Sequence, residues 1–304
     1  MRAVEVHGQT FTGSYFRAAA PSPGVVVLGG SDGGRPMHWA GQLQAAGYSA
    51  IALSYFGAPG LPRRLVEVPV DQVSMAAAWL LERPEVVGDR VAVVGVSKGA
   101  ELALVAASLT PRLIGAVVAY APSAYVFEGI GFGRHTRLRS SWTLEGHPLA
   151  YVPYPRPMRP GVGIRGISLL PIYQAALEAR LSIERAAIPV ERSNAAILLV
   201  SGGRDKMWPA GLMAETLVRR LDAAGMTERV THAHFEGAGH SFMPWQPHLP
   251  RWLSAAAAVA NQARLAGVGV GLDLGGRPAA NRAALHHAWR LTLEFLDASL
   301  ESGR

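Results

Sequence analysis

The 304-residue chain is predicted to fold as an α/β protein, a mostly parallel twisted sheet covered by helices on both faces. Three observations carry that expectation. Short runs of Val, Ile and Leu that end near glycine read as buried parallel strands. Segments with apolar residues at helical spacing alternate with them. The alternation runs along most of the chain and breaks at one stretch only.

In order, residues 24–28 (GVVVL) form the first predicted core strand, about twenty residues into the chain. Residues 37–46 read as a helix closed by Gly47. A strand over 48–53 follows, then a loop rich in Gly and Pro over 57–62. Residues 70–81 (VDQVSMAAAWLL) have helical spacing, and Pro84 lies just beyond their end. Residues 90–95 (RVAVVG) are a strand leading at once to Ser97 and a helix over 99–109. Residues 113–119 are the next strand. From 122 to about 192 the rhythm fails, with many Gly, Pro and aromatic residues and one helix near 170–180. A structureless loop of that length is uncommon inside a compact core, so the segment is expected to be a lid inserted into a single domain spanning 1–304. Alternation resumes with a strand over 196–201, a helix over 210–224, a strand over 230–235 and an amphipathic helix over 281–300.

Composition narrows the chemistry. Hydrophobic residues make up 49% of the chain and charged residues 17%, enough for a large core and too ordered a mix for a disordered tail. There is no cysteine, which excludes disulfides, thiolate metal sites and a cysteine nucleophile. The first ten residues lack an apolar signal core, and the weakly polar stretch 254–272 contains Asn261, Gln262 and Arg264, so a cytoplasmic protein without a membrane span is expected. The net charge is +7, nearly all from arginine; Lys98 and Lys206 are the only lysines. Codon bias explains such a charge, and so does attraction to anionic ligands such as a phosphate-bearing thioester or an acidic carrier protein. No nucleic-acid motif accompanies it.

Gly95-Val96-Ser97-Lys98-Gly99 matches G-x-S-x-G between a buried strand and a helix. A strand that reverses sharply into a helix strains the serine backbone and crowds the positions two residues either side, which is why glycines flank it. A serine hydroxyl needs a base, and the base needs an orienting acid. In the α/β-hydrolase fold the order is serine, acid, histidine. Asp205 follows the strand 196–201, and His240 follows the strand 230–235 within GAGHSF. Ser97, Asp205 and His240 are therefore the expected catalytic triad. The glycine-rich loop Gly29-Gly30-Ser31-Asp32-Gly33-Gly34 offers backbone N–H groups, and the N–H of Ser31 is expected to join that of Lys98 in an oxyanion hole. The loop fits neither a P-loop nor G-x-G-x-x-G. Lys98 opposes the helix dipole, and Glu101 is placed to neutralise it. His232 and His234 share a strand face but lack a third ligand for a metal. His38 and His135 sit at no strand end suited to the base, and His286 and His287 look solvated.

The segments GVSKGAELAL, SGGRDKMWP, AGLMAETLVRRL, GAGHSF and LDLGGRPAANRAALHHAWRLTLEFL resemble the C-terminal catalytic domain of the acyl-CoA thioesterase and bile acid-CoA:amino acid N-acyltransferase family. YFGAPGLPRRLVEVP and SSWTLEGHPLAYVPY look like family segments too, so the resemblance runs from about residue 24 to 300. The triad also fits other α/β-hydrolases, dienelactone hydrolases among them. The resemblance implies Ser97 as nucleophile, Asp205 as acid, His240 as base and an acyl thioester as the group attacked. It implies a stand-alone microbial form, since the animal members carry a further N-terminal β-sandwich. Members that transfer acyl groups to amino acids have cysteine at the nucleophile position, so serine points toward hydrolysis.

Ester or thioester hydrolysis is the first expected function, acyl transfer to an amine or alcohol the alternative, and a non-catalytic binding module a third. No metal or redox cofactor is needed. The lid is expected to set the substrate. Between residues 134 and 165 it carries Arg134, Arg137, Arg139, Arg156, Arg159 and Arg165 with one acid, Glu145, and it holds Trp142, Tyr151 and Tyr154. An apolar pocket with a basic mouth suits an acyl chain on a phosphorylated pantetheine arm, whereas a solvated surface explains the same charges. Gly30, Asp32, Arg134, Trp142 and Tyr151 are the expected substrate contacts.

Overall fold

The computed structural model describes residues 3–8, 11–131, 139–240 and 271–301. Its centre is an eight-stranded sheet. The strands are β1 (Val4–His7), β2 (Thr12–Phe16), β3 (Gly24–Leu28), β4 (Ser49–Ser54), β5 (Val91–Val96), β6 (Ile114–Tyr120), β7 (Ala196–Gly202) and β8 (Val230–Phe235). They lie in the order β1-β2-β4-β3-β5-β6-β7-β8. β1 and β2 pair antiparallel, as do β2 and β4; every other pairing is parallel.

The inner parallel strands, β3 and β5 to β7, are covered on both faces, so both side-chain rows are largely apolar, whereas the edge strand β8 is only partly buried and carries Thr231, His232 and His234. Val25 and Val27 face one layer with Trp39, Ala40 and Leu43 of helix α1 (Met37–Ala45) and Ala284, Ala288 and Leu296 of helix α7 (Pro278–Glu301). Val26 and Leu28 face the other layer, built on helices α2 (Asp71–Leu81), α3 (Lys98–Leu109) and α6 (Ala210–Ala223). Val25, Val26, Val27 and Leu28 are wholly buried, each contributing about 1.5–3 kcal/mol relative to exposure.

The first two strands were not expected, and the sheet begins with them rather than at residue 24. β2 is wholly buried yet reads TGSYF. Its hydroxyls are satisfied locally: Thr12 Oγ1 donates to the Val6 carbonyl at 3.2 Å and Ser14 Oγ to Glu5 at 2.8 Å.

Residues 122–192 leave the sheet after β6 and return before β7. Where one helix over 170–180 was expected there are two, α4 (Leu170–Ala176) and α5 (Arg180–Ala186). The segment is anchored deeply, with Phe127, Trp142 and Val152 wholly buried in the same core as α3. Among the described residues no helix is long and apolar enough to cross a membrane.

Candidate active site

Ser97 stands between β5 and α3 with φ 56° and ψ −121°, a strained conformation that lifts its side chain clear of the strand end. The flanking glycines are sterically required. A Cβ on Gly95 would lie 2.3 Å from the Gly99 carbonyl oxygen, and one on Gly99 would lie 2.2 Å from that of Gly29. The second contact brings the nucleophile turn against the glycine loop after β3. A Cβ built on Gly30 would meet the Ser97 Cβ at 3.6 Å, so Gly30 abuts the serine.

Asp205 and His240 reach the same point from the loops after β7 and β8. His240 Nε2 lies 2.9 Å from Ser97 Oγ, and His240 Nδ1 lies 2.7 Å from Asp205 Oδ2. A carboxylate only accepts, so Nδ1 carries the ring proton and Nε2 is left to accept from the serine hydroxyl. The other carboxylate oxygen, Oδ1, accepts from the Met207 N–H at 2.7 Å and the Trp208 N–H at 3.2 Å. Asp205 and His240 are buried, so the pair works in a medium where charge interactions are strong. The histidine loop is fixed in turn: the His240 N–H donates to the Leu274 carbonyl at 2.7 Å, and the Gly239 N–H to Asn281 Oδ1 at 2.8 Å.

Lys98 is the first residue of α3, so its N–H has no intrahelical acceptor. The Ser97 carbonyl already receives the N–H groups of Ala100 at 2.9 Å and Glu101 at 3.0 Å. Ser31 and Asp32 form the turn that follows Gly30.

The side chain of Lys98 points into the core. It is 1% exposed, and its Nζ lies 2.7 and 2.8 Å from the two carboxylate oxygens of Glu101, which is 0% exposed. Glu101 Oε1 also accepts from Trp142 Nε1 at 2.7 Å and from the Phe127 N–H at 3.1 Å. Burial pushes the Lys98 ammonium pKa down and the Glu101 carboxyl pKa up, and each is partly restored by the other. Trp142, expected to touch substrate, is wholly buried behind the nucleophile with its one polar atom committed to Glu101.

The remaining expected contacts fare differently. Asp32 is exposed on the glycine loop. Tyr151 is half-buried in a surface hollow with Leu149, Leu181 and Arg185. Arg134, with Arg137 and His135, lies outside the described residues. Three other lid arginines are held by acids: Arg139 by Glu67, Arg156 by Glu128, and Arg165 by Asp273 at 3.6 Å. Arg159 is exposed. Arg139 and Arg165 thus tie the segment to its surroundings, and Arg156 ties two parts of the segment together. His232 Nε2 and His234 Nδ1 converge on Ser201 Oγ at 2.7 and 2.8 Å.

An aromatic wall beside His240 escaped the sequence reading apart from Tyr154, one of the lid aromatics. Trp208 packs edge-on to His240 with ring centroids 5.7 Å apart, and Tyr173 and Phe127 lie behind it at 5.4 and 6.3 Å. Tyr154 extends the wall through a 3.0 Å contact between its hydroxyl and that of Tyr173. The spacing Asp205-x-x-Trp208 was the visible signal.

Comparison with known proteins gives a consistent result. The family model described as BAAT / Acyl-CoA thioester hydrolase C terminal matches residues 68–302. The mouse mitochondrial acyl-coenzyme A thioesterase 2 is 28% identical over 93% of the chain and 56% of its own length. The rat acyl-coenzyme A amino acid N-acyltransferase 2 is 28% identical over 90% of the chain and 60% of its own length. The chain therefore spans little more than half of these relatives. An α/β hydrolase enzyme from a Medee basin deep-sea metagenome library superposes with a TM-score of 0.57 at 14% identity, over 99% of this chain and 98% of that one. A dienelactone hydrolase-like promiscuous phosphotriesterase from metagenomic libraries does so at 0.51 and 15%, over 98% and 97%. The fold is that of an α/β-hydrolase.

Proposed function

The chain belongs to the BAAT / acyl-CoA thioester hydrolase C-terminal family, and on that premise we propose that it hydrolyses acyl thioesters through an acyl-enzyme on Ser97. One observation carries the proposal: the continuous path from Asp205 through His240 to Ser97 Oγ, at 2.7 and 2.9 Å.

Ser97 Oγ attacks the acyl carbonyl as its proton passes to His240 Nε2. Asp205 holds the ring in the accepting tautomer and stabilises the imidazolium. The N–H groups of Ser31 and Lys98 bind the developing oxyanion. The imidazolium protonates the departing thiolate; water, deprotonated by the same ring, then releases the acid. Every step uses side chains and backbone of this chain alone.

Residues 122–192 serve as the lid that sets the acyl group, with Trp208 on the apolar side of the site beside His240 and Tyr173, Tyr154 and Phe127 packed behind it. The proposed substrate is an acyl-CoA, or an acyl group on a carrier protein, with Arg159 and the basic stretch that includes Arg134 as the phosphate-facing charges. The likeness to an N-acyltransferase supports a second reading, transfer of the acyl group to an amine. A panel of acyl-CoAs and simple esters, with free-thiol and free-acid detection, tests the proposal. Thiol and acid released in equal amounts, with or without glycine or taurine, support hydrolysis. An amide product in place of acid supports transfer, and no turnover of any member contradicts both.

A further inference from the structure

We infer that Tyr55 is a positioning residue of the oxyanion hole, holding through its hydroxyl the peptide group that presents the Ser31 N–H donor and the peptide group before it. The inference rests on the reading of Ser97 as the nucleophile.

Tyr55 follows β4 directly and is 2% exposed. Its Oη lies 2.8 Å from the Gly29 carbonyl oxygen and 2.8 Å from that of Gly30. Its single hydrogen is shared between two acceptors. A peptide group is planar and trans, so its C=O and N–H point in opposite directions. The Gly30 carbonyl and the Ser31 N–H belong to one such plane, and the Gly29 carbonyl and the Gly30 N–H to the plane before it. A donor on the carbonyl side therefore fixes where each N–H points. It also polarises the peptide and makes the N–H a stronger donor.

Such a pin is needed because the loop is glycine-rich. Glycine backbone rotates freely, and a flipped Gly30–Ser31 peptide would aim a carbonyl oxygen at the developing oxyanion. A β-branched sequence would resist the flip by itself, but this loop has glycine at 29 and 30, and a Cβ on Gly30 would already press on Asp32 Oδ1 at 3.3 Å.

Tyr55 is itself immobilised. Its ring packs against Phe56 at 5.1 Å and Trp142 at 5.9 Å, and its own carbonyl accepts from Gln72 Nε2 at 3.3 Å. Burial pushes its phenol well above the ordinary range, so the hydroxyl keeps its hydrogen at working pH. Trp142 is tied to Glu101, and Glu101 to Lys98, whose N–H is the other proposed donor. One buried cluster thus supports both sides of the oxyanion hole.

The test compares Tyr55→Phe and Ser97→Ala with the parent. The readouts are acyl-CoA turnover and binding of an alkyl trifluoromethyl ketone, which becomes a hemiketal oxyanion when the serine adds to it. Loss of a direct oxyanion donor costs about 10²–10³ in rate, so loosening one should lower kcat by about 10–100-fold. KM should stay within about threefold, and ketone affinity should fall in proportion to kcat/KM. Parent-like kcat and ketone binding in Tyr55→Phe, beside an inactive Ser97→Ala, overturns the role of Tyr55 and leaves the nucleophile standing. An active Ser97→Ala overturns the nucleophile reading itself. If Tyr55→Phe does not fold, 3-fluorotyrosine at position 55 keeps the ring and donates more strongly. Tighter ketone binding then supports the inference, and unchanged or weaker binding overturns it.

Discussion

Both carboxylate oxygens of Glu101 accept from the Nζ of Lys98, at 2.7 and 2.8 Å, with neither side chain reaching solvent. A charge pair buried immediately after Ser97 is a liability unless both members stay. Removing one partner of a buried pair typically costs about 3–5 kcal/mol, because the other is left uncompensated. Lys98→Met should therefore be destabilised by about that amount at pH 7, measured by denaturant unfolding. The sign of its pH dependence follows from burial, which already raises the Glu101 carboxyl pKa. Without Lys98 the carboxyl protonates more readily still, so the loss should shrink as the pH falls. The double variant Lys98→Met/Glu101→Gln should recover most of it.

Asp205 accepts from the Met207 N–H, the Trp208 N–H and the His240 ring. Asp205→Asn keeps the size but presents an amide N–H to the ring and favours the wrong tautomer. The variant should stay folded and lose about 10⁴ in kcat, with KM little changed. Steady-state kinetics on any turned-over acyl-CoA checks this.

Gly99 touches the glycine loop after β3, the proposed oxyanion loop, and an added Cβ would fall 2.2 Å from the Gly29 oxygen. Neither backbone can yield without moving the donor groups. Gly99→Ala should therefore lose more activity than stability. A fall in kcat of less than about twofold would contradict the close approach.

Glu191 pairs with Arg220 of α6, its Oε1 accepting from Nη2 at 2.6 Å. That hydrogen bond holds the Glu191 carboxyl below the ordinary glutamate range. A carboxyl depressed in the folded state contributes stability above its unfolded value, and the contribution fades as the pH falls through the folded one. Both groups are partly exposed, so the contribution is small, under about 1 kcal/mol. Glu191→Gln should be slightly less stable than the parent near pH 7 and indistinguishable from it in acid, by thermal unfolding.

Arg159 is exposed and forms no ion pair with an acid among the described residues. If it meets a phosphate of the substrate, Arg159→Glu should raise KM for an acyl-CoA more than for an uncharged ester. Equal effects on both would remove the phosphate contact.

How much of this was legible in the sequence depended on range. Five sheet strands, β3 to β7, were readable because each is a short, largely apolar run buried on both faces, and β8 because Val230, Ala233 and Phe235 mark a partly buried edge strand. β1 and β2 were not: β1 is an edge strand of four residues, and β2 hides Thr12, Ser14 and Gly13 in the core through hydrogen bonds and close packing. The meeting of Ser97, Asp205 and His240 was foreseeable because each stands just past a strand, and parallel strands deliver such residues to one edge. Trp142 was misjudged because its partner Glu101 lies 41 positions away, and an aromatic in a lid looks the same whether it faces substrate or core. Tyr55 and Trp208 were passed over for the same reason, since no local pattern marks a hydroxyl aimed at a glycine loop or an indole set against a histidine.

The central claim is a covalent acyl group on Ser97 during turnover. The most direct measurement is intact-protein and peptide mass spectrometry after rapid mixing with an acyl-CoA and acid quench. The account predicts a mass gain equal to the acyl group, confined to the peptide containing Ser97 and absent in Ser97→Ala, which should also lack thiol release. Thiol release at the parent rate by Ser97→Ala, or an acyl group found on a different residue, would contradict it.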